Sequence, residues 1–593
     1  MSKTVPASLE TNTVSSPPRK PIRNAVRGEH RSKNSRASVS TRVLKLELDL
    51  LRALCENIGS VRSLTVSLLA SAGEWTQLLD LKCDPNHYDD HRSFSDDYLV
   101  TSVMQKNPRL PTDTDKAAVA IGKFRRAEEV CSETNRRLAG YMYGNIPFPS
   151  DVRPSIHYAR EIIRSILGPL TRADLQYAES NMRFGPGSTT SVSGVVTQGK
   201  KYSRLEIDAT PRLASFRAFC FPEYWKQLVK SIRVTPSSKL TTVPKNAKTD
   251  RVICIEPDLN IFVQLGTGAL IRKKLMHFGL DLDSQERNQN LARDAGKLDL
   301  CTMDLSAASD TISREVVWCL LPDRWGELLH YSRVDKTRIG EEIIPLEKWS
   351  SMGNGYTFEL ESLIFLGIVL GCCEAIGCDT SSVSVYGDDL IFPNEARELV
   401  ERTLTFLGFS VNVEKTFGKG RFHESCGTDW FDGVNVRPFF LRSLHHDFES
   451  VCYLYANNAR HWARRSNNDG TCDSRLLPFW LRCFRAVEPN ERHLIPQGFG
   501  DVGFVVDFDF AKPTLSRSLR DRGWGGFTFH YRSVKAERAE ISHLGCLTAW
   551  LNGNCTTWTR GIESLRGRFS PATREEGYSL EWPNLGPWLN TRV

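Results

Sequence analysis

The stretch SVSVYGDDLIFP (Ser382–Pro393) sets two carboxylates, Asp388 and Asp389, after a glycine and between short β-branched and aromatic runs. Gly-Asp is good turn chemistry, so a solvated hairpin tip accounts for it. Paired carboxylates are also how proteins hold divalent metal ions against phosphate oxygens. A second acidic pair lies upstream in LDLCTMDLSAASDTIS (Leu298–Ser313). Asp304 ends an apolar, strand-like run there, and Asp310 follows six residues later. Two strands paired in one sheet would bring Asp304 opposite Asp388 and Asp389. Three carboxylates at two strand ends suit a pair of magnesium ions and in-line phosphoryl displacement. A helix cap would explain SAASD as well.

Three further segments carry chemistry of the same kind. TVPKNAKTDRVICIEP (Thr242–Pro257) puts Lys245, Lys248 and Arg251 within seven positions, ahead of the strand-like VICI. Such a ribbon matches either a triphosphate or a solvated edge strand. In SSMGNGYTFELESLIF (Ser350–Phe365), Gly353 and Gly355 flank Asn354 before a helical run. Ser351, Asn354 and Thr357 offer uncharged hydrogen bonds suited to a sugar and a template backbone. NVEKTFGKGRF sets Lys415 beside an apolar strand, as a surface lysine or as a general acid for pyrophosphate. Gly194–Lys201 has P-loop spacing, but Lys201 stands where a hydroxyl should meet magnesium, so the segment reads as a basic loop.

These side chains need a rigid frame. Residues 300–420 read as strand–turn–helix units. Helical patterns alternate with polar loops from near Arg42 to about 180, FGPGSTTSVSG reads as loop, and 205–300 mixes strand-like and helical pieces. The apolar run SLIFLGIVLGCC (Ser362–Cys373) is too short to span a membrane and reads as a buried core helix. With no apolar leader in the first 45 residues, the chain is expected in the cytoplasm. The 16 cysteines form no C-x-x-C pair and read as buried thiols. Charge is unevenly placed. Residues 1–45 carry ten Lys or Arg against two Glu, net +8, so the remaining body is −1 within a total of +7. That segment reads as a disordered basic tail, either solvating or RNA-binding. The body must segregate its charge to bind nucleic acid. From about 430 the chain is rich in Trp, Arg and Gly, as in RDRGWGGF at Arg520–Phe527.

The order of the segments is more specific than any one of them: basic ribbon, Asp-x5-Asp, Gly/Asn loop with helix, Gly-Asp-Asp hairpin, lysine. In that order VPKNAKTDR, DLSAASDTIS, SSMGNGYTFELESLIF, VYGDDLIFP, EKTF, ESCG (Glu424–Gly427), GVNVRPFFLR (Gly433–Arg442) and IPQGFGD (Ile495–Asp501) resemble the replicase subunit of the single-stranded RNA bacteriophages, the leviviruses. The resemblance runs from about 240 to 505. It implies an α/β (α+β) right-hand polymerase whose palm is an antiparallel sheet packed on helices. The expected division is a tail at 1–45, N-terminal region and fingers at 46–300, palm at 301–425, and thumb with C-terminal region at 426–593. The polymerase domain is expected at about 290–421. The resemblance implies two Mg2+ on Asp304, Asp388 and Asp389. Triphosphate is expected at Lys245, Lys248 and Arg251, and ribose sensing at Asp310 and Asn354. Lys415 would protonate pyrophosphate. It implies RNA template and product, ribonucleoside triphosphates, host elongation factors Tu and Ts, a host ribosomal RNA-binding protein, no membrane, and action in the host bacterial cytoplasm. His423 stands where the resemblance implies Arg, and the basic extension is longer than expected. A reverse transcriptase would place a bulky side chain after the first aspartate, where this chain has Ser306, Ala307, Ala308 and Ser309. A noncatalytic RNA-binding protein would have no chemical need of all three aspartates.

Overall fold

The computed structural model describes residues 25–144, 146–194, 197–215, 225, 227–443, 447–467, 469–515, 525–534, 542–553 and 572–589, with side chains from 39 onward. Most of the expected tail (residues 1–24) and most of RDRGWGGF lie outside the described residues. Residues 25–45 do not: they open the helix Ala25–Ile58. Their polar composition reads as disordered, yet they continue a helix whose later turns bury Val43, Leu46, Leu50 and Leu54.

The sheet that holds the acidic residues has three antiparallel strands in the order Leu300–Met303, Asp389–Pro393, Ser384–Tyr386. All four residues of Leu300–Met303 are buried, which explains its continuous apolar reading. Beneath the sheet runs the helix Thr357–Ile376, buried at sixteen positions including all of Ser362–Cys373, so the expected core helix is borne out. It packs on Arg153–Leu167 through Gly367 and Gly371. A Cβ at Gly371 would stand 2.6 Å from the Ser155 carbonyl oxygen. Glycine is needed there for close approach rather than for a turn.

A second sheet of four strands joins Asp250–Ile255, Ser238–Pro244, Lys336–Ile339 and Glu342–Pro345. Part of the segment assigned to the palm, 336–345, therefore belongs with the basic ribbon. The N-terminal helices share one core with residues 439–506 and with Phe527, Phe529, Trp582 and Leu585. Glu47, fully buried, accepts hydrogen bonds from Tyr455, Arg109 and Asn107, fastening the first helix to the helix Phe448–Arg465. Unpaired, that carboxylate would be strongly destabilising; three donors satisfy it. Sequence order had grouped 46–110 with residues up to 300, but their apolar faces are covered from the other end of the chain.

All fourteen described cysteines are free thiols, most of them buried. Lys201, read as part of a basic loop, is instead buried beside the Phe184 ring with its ammonium on the Gly185 carbonyl. Among the described residues no helix is long and apolar enough to cross a membrane.

Candidate active site

The strand register builds the acidic cluster. Met303 pairs with Leu390, so Asp304 leaves its strand beside the point where Asp389 enters the neighbouring one. Tyr386 pairs with Asp389 across the two-residue turn Gly387-Asp388. Gly387 has φ +61° and Asp388 is not in the left-handed region, the pattern of a type II′ turn. The turn is docked: Gly387 N–H donates to Ser362 Oγ at 3.0 Å, and Phe358 meets Tyr386 edge-on at 5.0 Å. From below, the buried Asn288 amide donates to the Asp389 carbonyl and accepts from Ser384 Oγ. Asp304 Oδ2 accepts from Asn412 Nδ2 at 2.8 Å.

Burial raises the Asp304 carboxyl above its ordinary range; Lys415 and Asn412 oppose this and Asp388 adds to it. Burial and then the Asp388 charge push Asp389 up to about 6. Carboxylates that hinder one another's ionisation form a site that a cation would stabilise. An ammonium already stands close: Lys415 Nζ is 2.8 Å from Glu424 Oε1 and 3.9 Å from Asp304 Oδ2. Burial disfavours its charge, but Glu424 and Asp304 outweigh that and raise its pKa. Among the described residues no three carboxylate, imidazole or thiol groups are already closed into a ligand set. The hard-oxygen donor set nevertheless fits a divalent ion such as Mg2+.

A cavity of about 200 Å³ adjoins the cluster. Asp304, Asp389, Lys415 and Glu424 line one part of it, Lys106 and Arg437 another. Lys106 lies over the Phe440 ring at 3.8 Å, and burial, with Arg437 nearby, lowers its pKa to about 8.

The basic ribbon is divided. Val243 pairs with Arg251, which sets Lys245 and Arg251 together at the end of the strand pair. Burial lowers the Lys245 pKa, and Arg251, Lys123 and Lys415 lower it further, while Asp304 opposes them. These cations thus crowd one another near the acidic cluster, as a polyanion site would. Lys248 is not among them: its ammonium is paired with Asp80.

Asp310 is held from one side. Lys348 Nζ donates to its Oδ1 at 2.8 Å, leaving Oδ2 with no partner among the described residues. Asn354 uses its side-chain oxygen to cap Tyr356 N–H at 3.0 Å. Ser351 and Thr357 are buried, and the Thr357 hydroxyl bonds Ser350 Oγ and the Ser351 carbonyl. The Thr357 hydroxyl thus braces the loop from inside, while the Ser351 hydroxyl is buried without a hydrogen bond among the described residues. His423 is buried beside Gly296, and burial keeps its imidazole toward the neutral form.

The sequence reading missed Lys348, Glu361, Asn412 and the role of Glu424. Glu361 is 3% exposed; Ser309 Oγ donates to its Oε2 at 2.8 Å, and its Oε1 is buried without a hydrogen bond. Burial, then the Asp388 charge, holds that carboxyl up at about 8. A second acid in the ELES run is the only local signal for it.

Residues 63–516 match the family of the RNA replicase beta-chain. The chain belongs to that family. It is 39% identical over 425 residues to the RNA-directed RNA polymerase subunit beta of Enterobacteria phage SP, covering 70% of this chain and 71% of that one. To the subunit of the same name from Escherichia virus Qbeta it is 37% identical over 494 residues, 80% of this chain and 79% of that one. To the beta chain of Escherichia phage MS2 it is 34% identical, covering 74% and 78%. Among solved structures, the RNA-dependent RNA polymerase of a human picorbirnavirus aligns at 12% identity and a TM-score of 0.33, over 61% of this chain and 85% of that one. That score is too low to carry an argument. The antiparallel sheet with the hairpin at its edge, backed by a buried helix, has the arrangement expected above for a polymerase palm.

Proposed function

We propose that this chain is the catalytic subunit of an RNA phage replicase, an RNA-directed RNA polymerase. It extends an RNA 3′ end with ribonucleoside triphosphates chosen by an RNA template, and pyrophosphate leaves. The observation that carries this is the register that sets Asp304 beside the Gly387-Asp388-Asp389 turn, with Lys245 within electrostatic reach of Asp304 and Arg251 beside Lys245.

Asp304, Asp388 and Asp389 would hold two magnesium ions, which when bound supply the positive charge that activates the attacking 3′-hydroxyl and offsets charge on the leaving oxygen. Lys245 and Arg251 bind the triphosphate. Asp310 offers Oδ2 to the ribose 2′-hydroxyl while Lys348 holds Oδ1. The Asn354 amide nitrogen is a second sugar contact, since its oxygen is occupied by the loop. Lys415 Nζ, kept charged by Glu424 and Asp304, donates its proton to pyrophosphate. The small residues Ser306–Ser309 leave room for a 2′-hydroxyl, which favours ribonucleotides. The lobe built from residues 43–110 with 439–585 serves as thumb, and the sheet at 238–255 and 336–345 belongs to the fingers. As a replicase subunit the chain acts inside the bacterial host with further subunits, for which elongation factors Tu and Ts and a ribosomal RNA-binding protein are the candidates.

The test is labelled nucleotide incorporation on an RNA template by the chain purified with its accompanying host proteins. Asp388→Asn should reduce incorporation by roughly three orders of magnitude or more, with template binding little changed. Incorporation by Asp388→Asn at the wild-type rate would refute the site. Equal use of deoxynucleotides would refute the sugar assignment.

A further inference from the structure

A cavity of about 390 Å³ lies in the C-terminal part of the chain and shares no lining residue with the cavity at the carboxylates. Its walls come from segments far apart in sequence: residues 489–494, residues 511–514, and the paired strands Phe527–Ser533 and Thr573–Ser579. Its charged lining is of one sign. Arg492, Lys512 and Arg574 contribute, together with the imidazoles of His493 and His530, and no carboxylate among the described residues lines it. Two carboxylates stand nearby. Glu491 is engaged by Arg532 and lies 3.6 Å from His493; Glu576 is opposite His530 in the strand register.

This grouping runs against the composition. Beyond residue 45 the chain carries net charge −1, so cations and carboxylates are nearly balanced overall. Three permanent cations around one cavity without a lining carboxylate repel one another unless an anion enters. Among the described residues neither Lys512 nor Arg574 has an ion-pair partner. Arg492 is pre-oriented, with Nε on the Val487 carbonyl at 2.9 Å and its guanidinium over the Phe484 ring at 4.8 Å. His493 is 5% exposed, and its Nε2 makes no hydrogen bond. Burial keeps that imidazole toward neutral; Glu491 opposes this, while Arg574, Arg532 and His530 reinforce it. The last three are thus within electrostatic reach of one buried ring. Phe529 and Trp582 are largely buried behind the wall, so the surface of the cavity is mainly polar and cationic, suited to a phosphate backbone.

We propose that this cavity binds phosphate groups of single-stranded RNA, at a site separate from the catalytic cavity. Arg492, Lys512 and Arg574 neutralise the backbone, and the Thr514 hydroxyl is placed to donate to a phosphate oxygen. Such a site would hold a template or product strand away from the point of synthesis. The assignment goes beyond the polymerase reading, and its test does not require polymerisation.

The experiment is fluorescence anisotropy of a labelled 12-nucleotide single-stranded RNA against the full chain, from about 50 to 300 mM salt. Wild type is compared with Lys512→Ala, Arg574→Ala and the pair combined. Lys512 and Arg574 lie at the surface, so these variants should fold, and circular dichroism melting checks that. Each single variant should weaken binding roughly 3- to 10-fold and flatten the slope of log K against log salt by about 0.7. A 4-thiouridine in the same RNA should cross-link to peptides from 489–530 or 573–582, and less so in the double variant. Unchanged affinity and slope in the double variant would overturn the site. Displacement of the cross-linked RNA by millimolar ATP or inorganic phosphate alone would overturn the RNA assignment in favour of a free nucleotide or phosphate.

Discussion

Lys348→Met tests how the site is held rather than what it contains. The Lys348 ammonium is fully buried, 2.8 Å from Asp310 Oδ1, 3.3 Å from Glu128 Oε1 and 3.8 Å from the Phe124 ring centre. It ties the helix Lys116–Tyr143 to the turn that carries Asp310. Methionine keeps the length and removes the charge, leaving two carboxylates facing one another. Breaking a buried pair from one side costs about 3–5 kcal/mol. The Asp310 side chain is 25% exposed, so water recovers part of this, and the lower end, roughly 3 kcal/mol, is the better figure. Burial opposes the Lys348 charge, but Asp310 and Glu128 hold its pKa above the ordinary 10.5. A raised lysine pKa contributes stability that is whole below 10.5 and is lost only as pH rises through the higher folded value. The deficit of Lys348→Met should therefore be the same at pH 6 and pH 9. Hydrogen exchange of peptides spanning 308–314 reads the local opening free energy. In the cycle with Asp310→Asn the two changes should be coupled by about 1–3 kcal/mol, and Lys348→Met should raise the KM for ribonucleotides. Additivity within about 0.5 kcal/mol, with KM unchanged, would show that Lys348 does not position Asp310.

Gly387→Ala puts a Cβ 2.9 Å from the Phe358 ring at φ +61°, so it should destabilise the hairpin by about 1–3 kcal/mol and lower incorporation more than template binding; a thermal melt and an incorporation assay check both. Glu361 has its carboxyl pKa raised to about 8, so its contribution is present below about 4.5 and is lost as pH rises to 8. Glu361→Gln should accordingly melt several degrees above wild type at pH 8 and close to it near pH 5, as differential scanning fluorimetry at the two pH values will register. Lys415→Ala should slow single-turnover incorporation by about 10²–10⁴, with Lys415→Arg recovering binding of the triphosphate better than the rate.

What was legible in the sequence was what is encoded locally. The glycine before Asp388 and the β-branched runs around it specify a hairpin, and the apolar run before Asp304 specifies a buried strand. Their pairing follows because both end in carboxylates that water or a cation must reach. Ser351 and Thr357 of the Gly/Asn loop were expected to offer hydrogen bonds to a ligand, but both are buried, because the helix that begins at Thr357 is buried from its first turn. Lys248 and Lys245 are three residues apart in one basic run. What separates them is Asp80, which a reading of residues 242–257 does not contain.

The same limit explains the larger miss. Glu128 and Lys348 are 220 residues apart, and Glu47 and Tyr455 are 408 apart; in each case the charged or polar group looks exposed until its partner is known. Buried polar groups of this kind are tolerated only when paired, so each reports a contact that amphipathic periodicity cannot. An apolar stripe says that a face is covered and leaves open by what. The N-terminal helices show this directly. Their stripes were read correctly, but the cover is the C-terminal lobe, which also supplies Tyr455, one of the three donors to the buried Glu47. Residues 43–110 and 439–585 therefore share one core that must assemble after residues beyond 439 are available. A fragment ending at the palm would expose Glu47 and the apolar face around it together.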